Sequence, residues 1–317
     1  MRITRPTRNI GKLLTLMIIL TIAIVIFVFN WKSDPTGENQ PSPLDISSDA
    51  DLLKLLAARI SALEHRFVDK EQKHFLSRPV INNYNYSYVH NAAETCTKSE
   101  TSILIVVRSA LIHFKKREEI RNGVIGEYVR DVANKAKVLF FTGQVYTGKF
   151  YKSHQKSIMT EATTYGDIVQ GDFEDVYSNN PFKSISMLRW PLIFCTGVTY
   201  IIRSDDDIMF NPTTLVSGLR RISKIMDTFI VGSQTAGDPL ETAKKNGITL
   251  TREDIAELPS SILGAPQGFP AKTNRMLYEA ALRVKPVWLE DIFVNSVCAK
   301  KMSIPVVSDP AFAFQNA

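Results

Sequence analysis

The stretch Thr199-Tyr200-Ile201-Ile202-Arg203-Ser204-Asp205-Asp206-Asp207-Ile208-Met209-Phe210 is an apolar, β-branched run that stops at three consecutive carboxylates and then turns apolar again. Its first half reads as a strand buried in a sheet. Three adjacent carboxylates repel one another, so placing them at a strand end demands a compensating cation. Hard divalent ions take oxygen ligands, and Mg²⁺ or Mn²⁺ binds through one or two carboxylates plus substrate phosphates. In an open α/β sheet, ligands gather outside the carboxyl ends of the strands. Asp205 and Asp207, two residues apart, fit a D-x-D clamp on a metal–diphosphate pair. The competing reading is a solvated acidic turn, or a cap for a helix starting near Asn211.

The chain from Ser102 onward repeats this grammar. Ile103 to Val107 is a continuous apolar strand of the kind covered on both faces. A helix is expected over Lys115 to Tyr128, with Arg117 and Arg121 on one face. Further strands are expected at Val138 to Phe141, Asp167 to Val169, Phe229 to Gly232 and Ile304 to Ser308. Helices are expected over 152–164, Phe182 to Trp190, Thr213 to Ile225 and Thr273 to Arg283, with one starting at Leu289. Gly264 to Pro270 reads as a loop, and 236–258 carries no clear pattern. Alternating strands and helices imply an α/β fold with a mostly parallel, covered sheet. No G-x-G-x-x-G, G-x-S-x-G, H-E-x-x-H or Walker lysine loop occurs, so nicotinamide, flavin, serine-hydrolase, zinc-protease and P-loop chemistries are disfavoured.

The net charge of +6 is concentrated at one end. Arg2, Arg5, Arg8 and Lys12 all precede the first acidic residue, Asp34; without them 34 basic groups face 32 acidic ones. A nearly neutral body argues against a nucleic-acid partner. Leu13 to Trp31 is uncharged and almost wholly apolar. At 1.5 Å per residue it reaches roughly 28 Å, about one hydrocarbon thickness. Its bulky end, Ile26 to Trp31, lacks a small-residue cleavage site. With basic residues ahead of it, the run is expected to be a single-pass anchor with a cytosolic tail over 1–12 and everything after residue 32 lumenal; an uncleaved signal is the alternative.

Residues 32–100 read as a stem. Pro35, Gly37, Pro41 and Pro43 mark a linker. Leu53, Leu56, Ile60, Leu63 and Phe67 then follow steps of three and four within a helix expected over 49–74. Two heptads suit either a homodimer through the stem or packing on the main domain. Asn85-Tyr86-Ser87 is the one glycosylation site with a permissible middle residue, so Asn85 is expected on the surface and, in a lumenal protein, glycosylated. Of Cys96, Cys195 and Cys298, two can pair in an oxidising compartment, and spacing does not say which; three buried thiols are the alternative.

Glu290 and Asp291 open the last expected helix, where acids cap the dipole. Beside Asp205–Asp207 they acquire a second meaning. A metal-held diphosphate is a good leaving group, and a carboxylate across the cleft can accept the proton of an incoming hydroxyl. One metal and one base suffice for a single displacement at a sugar C1 through an oxocarbenium-like transition state.

Five ordered blocks carry a resemblance. They are Ile105-Val106-Val107-Arg108-Ser109 with Arg117-Glu118-Glu119-Ile120-Arg121; Glu161 with Tyr165-Gly166-Asp167-Ile168; Asp172-Phe173 with Asp175 and Tyr177; Lys183, Trp190 and Cys195 ahead of the acidic triplet; and Glu290-Asp291-Ile292-Phe293-Val294 with Cys298. Over roughly residues 100–310 the chain resembles the inverting β1,3-glycosyltransferases of the galactosyltransferase, N-acetylglucosaminyltransferase and fringe group. The resemblance implies a GT-A fold over 101–317, a UDP-sugar donor, Mn²⁺ with Mg²⁺ as a substitute, and a glycan acceptor on a glycoprotein or glycolipid. It also implies a type II Golgi membrane location. It gives the metal role to Asp207 and Asp205, the base role to Asp291, and donor contacts to Asp206, Ser109, Arg117 and Arg121. Gly268, Phe269 and Glu290 fall to the acceptor side. The chain departs from the pattern at Asn122-Gly123-Val124, where a tryptophan is usual, and at Arg203, where lysine is usual. It departs again in the loop Gly264-Ala265-Pro266-Gln267-Gly268-Phe269, and no histidine follows His154. Two functions are therefore expected: a hexosyltransferase, with galactose ahead of N-acetylglucosamine, or a catalytically silent, membrane-tethered partner of an active transferase.

Overall fold

The computed structural model describes residues 69–97, 100–235, 262–286 and 290–312. The expected anchor at 13–31, the linker and the Leu53–Phe67 seam lie outside them. Among the described residues no helix is long and apolar enough to cross a membrane.

Eight strands form one mixed sheet in the order β1-β4-β3-β2-β5-β7-β6-β8. They are β1 Tyr88–His90, β2 Ile103–Arg108, β3 Ala136–Gln144, β4 Ile168–Glu174, β5 Tyr200–Asp205, β6 Ile230–Thr235, β7 Ile262–Pro270 and β8 Val306–Ser308. The block β4-β3-β2-β5 is parallel throughout, and β7 runs antiparallel to both β5 and β6. Successive side chains in a strand point to opposite faces, and β2 shows the effect. Leu104 and Val106 enter one hydrophobic layer, while Ile103, Ile105 and Val107 enter the other. That is why its sequence is apolar without alternation.

Helices cover both faces. The second layer is closed by α1 Phe114–Asn122, α2 Val124–Arg130, α3 Tyr151–Tyr165 and α5 Pro212–Ile222. The first is closed by α4 Asn180–Phe194, α6 Ala271–Ala281 and α7 Glu290–Ile292, which continues as a π-helix over Phe293–Cys298.

Three expectations need correction. The helix expected over Lys115 to Tyr128 is two helices, broken at Gly123, whose backbone is extended. The two helices pack so tightly that a Cβ on Gly126 would lie 1.8 Å from the Arg121 carbonyl oxygen. The expected loop Gly264 to Pro270 is most of β7, an interior strand. A Cβ on Gly268 would meet Leu219 at 2.8 Å and Phe312 at 3.1 Å, and Phe269 is buried in the first layer. Gly268 and Phe269 are therefore packing residues of the sheet and not an acceptor-side loop. Finally, the folded body begins before residue 101. Residues 69–76 are helical, Phe75 and Tyr84 are buried in the first layer, and β1 pairs with β4. Cys96 and Cys195 form a disulfide that fastens this segment to the end of α4, leaving Cys298 as a buried free thiol.

Candidate active site

The chain leaves β2 in one direction, toward β3 and β4, and returns on its other side as β5. The carboxyl ends of β2 and β5 thus flank the point where the strand order reverses, the usual crevice of an open α/β sheet. Arg108 and Asp205 lie opposite each other there. Arg108 donates to both carboxylate oxygens of Asp205, at 2.7 and 2.8 Å, and also to Glu290. Two residues back on β5, Arg203 donates to Asp291. Strand parity explains the set: Arg108, Arg203 and Asp205 share the face of Val106 and Ile201, the layer that carries α7. Burial pushes the Asp205 carboxyl up against the opposing pull of Arg108. Burial pulls the Arg108 guanidinium down, but Asp205 and Asp291 outweigh it and the net direction is up. At Arg203 burial wins and the guanidinium is lowered.

Asp206 turns to the other layer. It accepts from Ser109 Oγ at 2.7 Å and faces His113 Nδ1 at 2.8 Å, with Lys116 Nζ at 3.4 Å. Arg117 donates in turn to Ser109 Oγ at 2.9 Å. Asp207 points outward: its side chain is 62% exposed, with Lys116 Nζ 3.8 Å away. The three carboxylates therefore share no common focus. Each already has a cation of the chain nearby, so charge repulsion within the triplet does not by itself demand a metal.

Arg117 and Arg121 do not face the crevice. The Arg117 side chain is 0% exposed, paired with Glu161 at 2.9 and 2.7 Å and bonded to the carbonyls of Ala110 and Leu111. Arg121 pairs with Asp167 at 2.7 and 2.8 Å and with Glu161 at 2.7 Å, its guanidinium 4.1 Å from the Tyr165 ring centre. Burial raises the Glu161 carboxyl, but the two arginines outweigh it and hold the group below its ordinary value. Arg117 thus braces the turn after β2, and Arg121 ties α1 to α3 and to Asp167 ahead of β4, so both guanidiniums are engaged by carboxylates of the chain itself. A second buried pair, Asp175 with Lys183, braces the same turn from the other side. Asp175 accepts from the Leu111 and Gly143 amides at 2.7 and 3.2 Å, and Lys183 donates to the Ser109 carbonyl at 3.2 Å.

Ser109, Asp205, Asp206, Asp207, Glu290 and Asp291 are thus brought to one end of the sheet. The sequence reading missed Arg108, His113, Lys116 and Tyr177. Arg108 was legible as a cation closing the strand next to the acidic one. Tyr177 faces the same charges: its hydroxyl is raised overall, by partial desolvation and by Asp291 and Asp205, against the pull of Arg108. Asn85 is exposed as expected, and its Oδ1 accepts from Arg189 at 3.2 Å.

An α/β sheet with its polar groups gathered at the reversal point, and acids from a facing helix, has the layout of a ligand-binding enzyme. The chain belongs to the galactosyltransferase family, whose pattern it matches over residues 115–310. It is 26% identical over 227 residues to the lactosylceramide 1,3-N-acetyl-beta-D-glucosaminyltransferase of Xenopus tropicalis, covering 69% of this chain and 59% of that protein. It is 24% identical over 239 residues to beta-1,3-galactosyltransferase 1 of Mus musculus, covering 74% and 71%. The matched stretch thus spans about three fifths of the first relative's length. Among solved structures, apo mouse xyloside xylosyltransferase 1 aligns with a TM-score of 0.33 and 11% identity over 66% of this chain and 84% of that one. Nothing further follows from a likeness that low.

Proposed function

We propose that the chain transfers a hexose from a UDP-sugar to a glycan hydroxyl with inversion, forming a β1,3 linkage. The observation that carries this reading is the gathering of Asp205, Glu290 and Asp291 around Arg108 and Arg203 at the strand-reversal crevice, with Asp206 and Asp207 beside them on the same strand end. The family's name favours galactose and the first-named relative favours N-acetylglucosamine. The acceptor is a hydroxyl of a glycan carried by a glycoprotein or a glycolipid.

Among the described residues no group of three or more His, Cys, Asp or Glu side chains could hold a metal. A Mn²⁺ or Mg²⁺ ion that takes one carboxylate and completes its shell from water and phosphates does not need one. Exposed Asp207 fits that demand, and Asp205, with both oxygens on Arg108, fits it less well. Such an ion, when bound, supplies charge neutralisation to the departing diphosphate. Asp291 accepts the proton of the acceptor hydroxyl while that oxygen bonds to C1 and the C1–diphosphate bond breaks, UDP leaving with the electron pair. Arg203 and Arg108 orient the Asp291 and Glu290 carboxylates. The disulfide Cys96–Cys195 suits an oxidising compartment, in keeping with a lumenal body, and the exposed Asn85 suits a glycan; the type II Golgi anchor rests on the sequence of residues 1–31.

The test is an array of UDP-sugars against mixed acceptors, using the full chain in detergent. Transfer with an inverted anomeric centre is expected; retention overturns the mechanism. The ion pairing of Asp205, Glu290 and Asp291 supports a second reading, a silent partner whose acids are already neutralised. Mn²⁺-dependent UDP binding followed by turnover removes it.

A further inference from the structure

Lys116 lies in the first turn of α1, with its ammonium 3.4 Å from Asp206 and 3.8 Å from Asp207. Its side chain is 36% exposed, so it can leave this position without breaking the core. His113 faces Asp206 from the same side, and Asp205 is neutralised separately by Arg108. Lys116 is thus the cation nearest the outward carboxylate, the one best suited to a divalent ion. A lysine ammonium and a hard divalent ion seek the same oxygens, so they compete for them. A lysine is also a point-charge binder of phosphate on a flexible stem.

We propose that Lys116 is a tethered counter-ion for the acidic triplet: it occupies Asp206 and Asp207 when the donor is absent, and moves onto the donor diphosphate when a divalent ion takes Asp207. This rests on the donor-site reading of Asp207 given above. It assigns two opposite effects to one side chain. Lys116 weakens metal binding by the free protein and strengthens nucleotide binding by the metal-loaded protein. A merely structural lysine would change both in the same direction or neither.

The test uses the full chain and needs no acceptor or turnover. Mn²⁺ binding is followed by electron paramagnetic resonance, and UDP binding at saturating Mn²⁺ by calorimetry, for the wild type, Lys116→Met, Lys116→Arg and Asp207→Asn. Lys116→Met is expected to bind Mn²⁺ about two- to five-fold more tightly, the range of a half-exposed ion pair, and to bind UDP more weakly. Lys116→Arg should return both values toward wild type. Unchanged Mn²⁺ affinity in Lys116→Met, or a loss of both affinities, overturns the proposal. Loss of Mn²⁺ binding in Asp207→Asn with no change in Lys116→Met sinks the lysine's role alone. Undiminished Mn²⁺ binding in Asp207→Asn sinks the donor-site reading together with it.

Discussion

Two sets of arginine–carboxylate pairs sit on opposite faces of the sheet. On one, Arg117 and Arg121 hold Glu161 and Asp167. On the other, Arg108 and Arg203 hold Asp205, Glu290 and Asp291. The charged groups are the same, but their surroundings differ. The Arg117 guanidinium is sealed, with two backbone carbonyls and Ser109 Oγ taking its remaining donors. Around Arg203 the bonding is incomplete: its Nη1 is buried without a hydrogen-bond partner, and the Asp291 side chain keeps about a third of its surface open. A closed pair of this kind fixes a backbone, whereas a pair with an open carboxylate can exchange its partner for a substrate. The family resemblance gave donor contacts to both arginines of R-x-x-I-R; here Arg117 is sealed and Arg121 is held by Asp167 and Glu161.

The largest effect expected is on the sealed set. Arg117→Met leaves Glu161 charged and underpaired in the interior and should cost about 3–5 kcal/mol. Urea unfolding measures it; a loss below about 1 kcal/mol would put Arg117 in the surface-pair class. On the open set the damage should fall on turnover. Asp291→Asn should lower turnover by about 10²–10⁴-fold with UDP affinity retained. Full activity would return Asp291 to a helix-capping role, since Asn caps as well as Asp.

A smaller and pH-dependent contrast follows at Glu161. Its folded carboxyl lies below the ordinary value, so the stability it contributes is complete above that value and is lost as pH falls through the lowered one. The gap in urea midpoint between wild type and Glu161→Gln should therefore narrow from about pH 6 to about pH 3. A constant gap would make the effect one of packing. Smallest is the thiol chemistry. Burial pushes the Cys298 thiol far up. Without reductant no thiol should react in the native protein, and one should react on unfolding. Two further thiols appearing on unfolding would break the Cys96–Cys195 assignment.

The parallel core was legible because burial on both faces leaves only one kind of sequence, as in Ile103 to Val107 and Tyr200 to Ile202. β7 was not, because Gly264, Pro266 and Gly268 carry loop signals. At Gly268 the glycine is there to let Leu219 and Phe312 approach, a tertiary demand that no local pattern reports. The break between α1 and α2 has the same origin, at Gly123 and Gly126. Within the site, residue types were legible but pairings were not. That Arg203 reaches Asp291 depends on strand parity together with the layer that carries α7. The substitution of arginine for the usual lysine stood out in the sequence without its partner.

The acidic triplet alternates with the strand that delivers it: Asp205 answers to Arg108 in one layer and Asp206 to Ser109 and His113 in the other. Adjacent codons therefore govern two circuits that share almost no contacts. Selection can retune the partners of one carboxylate while those of its neighbour stay fixed. The cost is rigidity of register. One residue inserted into β5 would exchange the two circuits at a stroke, so diversity in this part of the molecule has to come by substitution and not by changes in length.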